Sequence, residues 1–181
     1  MRSFAHVIAF DDCAFDRADR GDVGLIGAVF AGSRLDGVIS GRVRRDGANS
    51  AAVMAKMIFD SRYVRHLQLI MLQGIAVAGF NVVDVFELHA ATDLPILVVA
   101  KREPDLAAIR ETLTLRIRGG ERKWRIIERI GPMERVRGVW VQRVGLTGDD
   151  AAAIVDRFAV NGRDPEPLRV VHLIASGIGD A

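Results

Sequence analysis

The chain has 181 residues, half of them hydrophobic and 27 % charged, a composition that excludes a disordered segment and fits one packed domain. A single cysteine excludes an internal disulfide framework and suits a reducing compartment, so a cytoplasmic protein is expected. The formal charge is only +2, yet residues 110–143 hold ten Lys or Arg against four Glu, which leaves an acidic remainder. That asymmetry suits an enzyme that binds a polyanion, and equally a solvated charged helix.

In chain order, Phe4 to Phe10 is an apolar run that stops at Asp11-Asp12. It predicts a buried strand and argues against a signal peptide. No run approaches the ~18 apolar residues of a membrane span. Val23 to Ala31 is a second run, Gly32-Ser33-Arg34 a turn, and Leu35 to Arg45 alternates in character. A hairpin follows, with the first three strands as an antiparallel meander. Asn49 or Ser50 is placed to cap a helix reaching about Arg62, with Val53, Met54, Met57 and Ile58 inward. Leu67 to Leu72 predicts a strand closed by Gln73-Gly74, and Asn81 is placed to cap a helix with Asp84 in its first turn. Leu94 to Ala100 predicts another buried strand. Pro104 and Asp105 open a helix with Leu106, Ile109 and Leu113 inward. Trp124, Ile127 and Ile130 predict an amphipathic helix in the basic stretch; Val139 to Val144 reads as a strand and Asp149 to Phe158 as a helix. A last helix starts at Pro167, with Leu168, Val171, Ile174 and Ile178 inward and Arg169, His172 and Ser176 sharing another face. Residues 1–181 then form one α/β domain, a mixed sheet flanked by helices.

Candidate chemistry gathers where strands end. Asp11 and Asp12 close the first strand, and Asp46 follows the third at an Asp-Gly that is also a common turn dipeptide. Neighbouring strands lie about 4.8 Å apart, so such carboxylates can share Mg²⁺, which takes one or two of them plus waters and substrate phosphates. Lys101 follows a buried run directly and reaches a phosphate oxygen, or snorkels on the surface. The loop Gln73 to Asn81 is rich in small residues that let backbone amides approach a ligand, or serves as a tight connection; it lacks the Gly-Lys-Ser/Thr ending of a Walker loop. Trp124 and Trp140 suit base stacking or core packing. Cys13 has no histidine spacing to support a nucleophile.

The segments Phe10-Asp11-Asp12-Cys13-Ala14-Phe15, Asp36 to Ser40, Gly74 to Asp84, Leu94-Pro95-Ile96 and Pro165 to His172 resemble the largely archaeal endonuclease dU family, itself similar to endonuclease V. The resemblance implies a ribonuclease-H-like mixed sheet of five main strands, an antiparallel meander followed by parallel strands. It implies a Mg²⁺- or Mn²⁺-dependent site that cleaves DNA, single-stranded or lesion-bearing, containing a deaminated base such as deoxyuridine. Asp11 resembles the first-strand metal ligand, Asp46 falls near the second acidic ligand, Lys101 resembles a lysine after a similar strand, and His172 resembles a late histidine or acid. Asp12 is expected to assist at the metal. Gln73 stands where an aspartate is usual, so the site lacks one anion, with Asp12 or Asp84 available to compensate. The wedge loop of endonuclease V is not recognisable between Ser33 and Ser40. Arg118, Arg122, Lys123, Arg125 and Arg169 are the expected phosphate contacts. Gln73 also favours an alternative, a nucleic-acid-binding protein of this fold with impaired catalysis; a partner-binding domain with neither DNA nor metal is a third reading.

Overall fold

A computed structural model describes residues 4–16, 18 and 20–179. The elements run β1 (His6–Asp12), β2 (Asp22–Ala31), β3 (Arg34–Arg44), α1 (Ser50–Asp60), β4 (Leu69–Gln73), β5 (Ala76–Val77), β6 (Asn81–Val82), α2 (Val85–Thr92), β7 (Ile96–Ala100), α3 (Leu106–Arg116), α4 (Gly120–Ile130), β8 (Glu134–Val136), β9 (Val139–Val144), α5 (Gly148–Phe158) and α6 (Glu166–Ile178). The main sheet has the order β3-β2-β1-β4-β7-β9-β8. β1, β2 and β3 form the expected meander, and β1, β4 and β7 are parallel. This is the ribonuclease-H-like arrangement that the resemblance implies. The sheet is wider than the expected five strands, because the β8–β9 hairpin adds antiparallel to β7. β8 is too short and too charged to show as an apolar run.

Alternation along the central strands builds two cores. Val7 and Ala9, Leu69 and Met71, and Leu97 and Val99 face α5 and α6, meeting Ile154, Phe158, Leu168, Val171 and Ala175. Ile8 and Phe10, Ile70 and Leu72, and Ile96 and Val98 face α1 and α2, meeting Met54, Ile58, Val85 and Leu88. A fully buried aliphatic side chain contributes about 1.5–3 kcal/mol relative to exposure. A one-residue slip would exchange the faces of every such pair, so the register is strongly specified. A smaller cluster, built on Val82, Leu113 and Ile127 with Trp124 packed against it, seats α3 and α4.

Two local expectations change. Asn81 caps no helix: it lies in β6, fully buried, where its amide donates to Arg44 O and Asn49 Oδ1 and its oxygen accepts from Ser50 N. The cap of α2 is Asp84, which accepts from Phe86 N and Glu87 N. The segment after Gln73 is consequently a small hairpin, β5 with β6, and not a direct strand-to-helix turn. On α6 the inward positions are Leu168, Val171 and Ala175, while Ile178 is 50 % exposed, since the helix outruns the sheet it covers.

Candidate functional site

β1, β4 and β7 all present their carboxyl ends at one edge of the sheet. Phe10 is level with Leu72, and Gln73 with Val99. Asp11, Gln73 and Lys101 continue the odd-numbered rows that face α6. The first turns of α6 close over this row. Gln73, Lys101, Asp164, Arg169 and His172 line one small cleft. Asp11 stands behind His172: it is 8 % exposed, and its Oδ2 accepts from His172 Nδ1 at 2.7 Å. Its Oδ1 accepts from Asp12 N at 3.0 Å. Lys101 pairs with Asp164 at 2.9 Å, and Arg169 holds Glu166 with Nη2–Oε1 at 2.6 Å. That pair raises Arg169 and lowers Glu166 from their ordinary pKa values. Ser176 shares the exposed face of α6 but does not line the cleft.

Asp12 and Asp46 each give one carboxylate oxygen to a backbone amide of the β5–β6 turn. Asp12 Oδ2 accepts from Ala78 N at 2.9 Å. Burial, then the charge of Asp11, pushes its carboxyl from 3.8 up to about 6. Asp46 adopts a left-handed backbone, φ 50°. Its N donates to Ala78 O at 3.0 Å and its Oδ1 accepts from Phe80 N at 2.8 Å. Gly79 is required there, because a Cβ on it would lie 2.5 Å from Asp46 Oδ1 and its φ is +80°. The Asp46 carbonyl accepts from Lys123 Nζ. Asp46 is therefore a clasp between the end of β3, the β5–β6 turn and α4. Lys123 departs from the expectation of an exposed cation: it is 3 % exposed, with its Nζ on the Asp46 carbonyl. The helix face that carries it is apolar, and burial pushes its ammonium below the usual lysine range, with Asp46 partly offsetting the shift.

Arg118, Arg122 and Arg125 are exposed as expected. Arg118 and Arg122 line a broad cleft with Arg44, Arg45 and Arg116, bordered also by the buried Lys123 and by Asp46, Asp84 and Glu87. Trp124 packs in the α3–α4 cluster with the Arg110 guanidinium 5.5 Å from its ring, the core-packing alternative, and Cys13 is buried. Sequence reasoning missed Arg44 and Arg45, whose place on an alternating strand end carries no signal for a cleft formed with α4. It also missed Gln142, 4 % exposed in β9. A polar residue in an alternating strand ordinarily points to solvent, and nothing in the sequence marks this one as buried.

Among the described residues, no three His, Cys, Asp or Glu side chains form a group that could hold a metal. The donors at the strand ends nevertheless suit a sparsely liganded ion. Burial first, and then the neighbouring charge of Asp11, push the Asp12 carboxyl up to about 6, and a divalent cation beside the pair would offset the cost of holding both charged. The Gln73 amide oxygen and the His172 ring add further polar groups to that edge. Asp84 does not supply the missing anion, since it caps α2.

A family model described as endonuclease dU matches residues 3–179. A UPF0215 protein of Deinococcus radiodurans is 52 % identical over 174 residues, covering 96 % of this chain and 89 % of the relative. One of Methanothermobacter thermautotrophicus is 39 % identical over 182 residues, covering 98 % and 89 %. Among solved structures, a protein of unknown function from Archaeoglobus fulgidus superposes with a TM-score of 0.89 at 28 % identity, over 97 % of this chain and 99 % of that one. An endonuclease V of Ciona intestinalis, solved with a 24mer DNA containing an inosine followed by a ribo-adenosine, gives 0.59 at 12 % identity, over 94 % and 84 %. The last likeness shows the fold alone.

Proposed function

Starting from a chain that belongs to the endonuclease dU family, we propose a divalent-metal-dependent endonuclease that cuts DNA containing deaminated bases of the deoxyuridine type, in repair or defence. The observation that carries this reading is the meeting of Asp11, Gln73, Lys101 and His172 at the carboxyl ends of three adjacent parallel strands. Ligands of open α/β sheets collect at that edge.

Asp11 is the principal ligand, with Asp12 and the Gln73 amide oxygen completing a set for hydrated Mg²⁺ or Mn²⁺. The ion, when bound, polarises a phosphoryl oxygen and lowers the pKa of water. Asp11 fixes the tautomer of His172, since a carboxylate can only accept and Nδ1 must carry the proton. Nε2 is left to orient water. Lys101, 62 % exposed and held by one carboxylate, exchanges Asp164 for the scissile phosphate and meets charge as it develops. The arginine cleft supplies phosphate contacts whose strength falls with salt. A base displaced from the stack enters the apolar pocket beside the β5–β6 hairpin, whose rim residues Gly74 and Ala100 adjoin Gln73 and Lys101 in sequence.

A nicking assay on deoxyuridine-containing DNA with Mg²⁺ or Mn²⁺ tests the reading. Nicking that disappears with chelator is the expected result. No nicking by the wild type, and none by Gln73→Asp, overturns it. The neutral Gln73 favours a second reading, a nucleic-acid-binding protein with impaired catalysis. Salt-dependent DNA binding without nicking, with activity gained in Gln73→Asp, selects that one.

A further inference from the structure

The pocket beside the β5–β6 hairpin has a volume of about 230 Å³ and walls that include Gly74, Phe80, Leu113 and Met133. Gln142 is a polar residue in this otherwise apolar lining. Its Nε2 donates to Gly131 O at 2.6 Å. A carbonyl can only accept, so the amide cannot be reversed. Its Oε1 is then fixed as an acceptor, and it is buried with no partner. Two other described side-chain atoms share that condition, Ser50 Oγ and Trp124 Nε1, and neither residue lines this pocket. An apolar residue of the same size would fill the position without an unpaired oxygen.

We propose that Gln142 Oε1 accepts the ring N–H of an extruded base and thereby selects uracil and hypoxanthine over cytosine and adenine. The inference rests on the nuclease reading for the presence of such a base. Its chemical basis is a change of hydrogen-bond polarity. Cytosine N3 and adenine N1 are acceptors. Deamination replaces the exocyclic amine by a carbonyl and leaves uracil N3 and hypoxanthine N1 carrying hydrogens. A fixed acceptor pairs with those N–H groups and opposes the lone pair of the parent bases. A site built to hydrogen-bond a group discriminates against analogues lacking it far better than an apolar wall does. Met133, an unbranched side chain lining the same pocket, gives room to a flat ring. Thymine and guanine carry the same kind of ring N–H, so their exclusion depends on the shape of the pocket and not on Gln142.

The test removes the hydrogen without changing the protein. Fluorescence anisotropy with EDTA present measures binding of short single strands differing at one base: deoxyuridine, 3-methyldeoxyuridine or deoxycytidine. The wild type is expected to bind deoxyuridine about tenfold tighter than the other two. Gln142→Leu is expected to bring the three within about twofold, by weakening the deoxyuridine complex. Equal binding of deoxyuridine and 3-methyldeoxyuridine by the wild type overturns the assignment, as does a variant that keeps the preference. Should Gln142→Leu not fold, having left Gly131 O without its donor, the wild-type pair of ligands decides alone. The nuclease reading fails separately: discrimination without metal-dependent nicking keeps Gln142 as the reader and removes the nuclease, and nicking without discrimination does the reverse.

Discussion

At the carboxyl edge of the sheet, the face under α6 and the face toward α4 carry the same kinds of residue, acids, a lysine and glutamines, and use them differently. Under α6, Asp11 is bonded to a partly exposed histidine and Lys101 is a solvent-facing cation, both beside a cleft. Toward α4, Asp46 bonds a loop amide through its carboxylate and the buried Lys123 through its carbonyl. Each acid gives one oxygen to a backbone amide, Asp11 to Asp12 N and Asp46 to Phe80 N; what separates them is the second partner, a histidine at the cleft for Asp11 and the Arg45 guanidinium for Asp46. Asp12 stands between the two regions, tied to Ala78 N on one side and repelled by Asp11 on the other.

The comparison breaks most sharply by substitution of the acids. Asp11→Asn is expected to lower metal-dependent nicking by more than about 100-fold, above the range seen for outer-shell partners of a metal, and His172→Ala by about 10–100-fold. Asp46→Asn keeps an oxygen for Phe80 N, so its nicking rate should stay close to wild type. A loss in Asp46→Asn as deep as that in Asp11→Asn would return Asp46 to the ligand set and dissolve the distinction. On the clasp itself, Lys123→Met leaves the Asp46 carbonyl without its buried donor. Urea unfolding should show a loss of about 1–3 kcal/mol. An unchanged midpoint would mean that the lysine is dispensable to the clasp.

Much of this fold is readable from periodicity, because its central strands are buried on both faces and appear as uninterrupted apolar runs, such as Ile96 to Ala100. The row of Asp11, Lys101 and His172 is readable too, since strand ends and a polar stripe on an apolar helix are local signals. What fails is anything decided by a partner distant in sequence. Asn81 looks like a helix cap, yet its amide is satisfied by Arg44 and Asn49, more than thirty residues away. Lys123 looks like one more cation in a basic helix, and only the packing of α4 against the Asp46 turn buries it. Asp46 sits at the place that resemblance marks for a ligand, and its bond to the β5–β6 turn is likewise made with a partner distant in sequence. Gln142 is invisible for the same reason, being defined by Gly131 and the pocket wall.

The intermediate position of Asp12 appears as a pH effect. Its folded-state pKa of about 6 lies above the ordinary 3.8, so the native chain keeps a proton that the unfolded chain releases. This contribution to stability is complete below about pH 4 and is lost as pH rises to about 6. The urea midpoint of the metal-free wild type, relative to Asp12→Asn, should fall across that window and then level off. A difference that rises with pH would place the raised proton elsewhere.

The smallest effect separates exposed from buried cations. Each phosphate neutralised by an arginine releases counterions, so log K for duplex DNA falls with log salt by about 0.9 per contact. Arg118→Ala and Arg122→Ala, both in the open cleft, should each lower that slope by about 0.9 while preserving the stability of the protein. Lys123→Met removes the same formal charge from the same helix turn, yet its ammonium is spent on Asp46. Its slope should match wild type at a salt where the variant is folded. If Lys123→Met instead reduces the slope as Arg122→Ala does, the lysine reaches phosphate when DNA is bound, and the α4 clasp opens on binding.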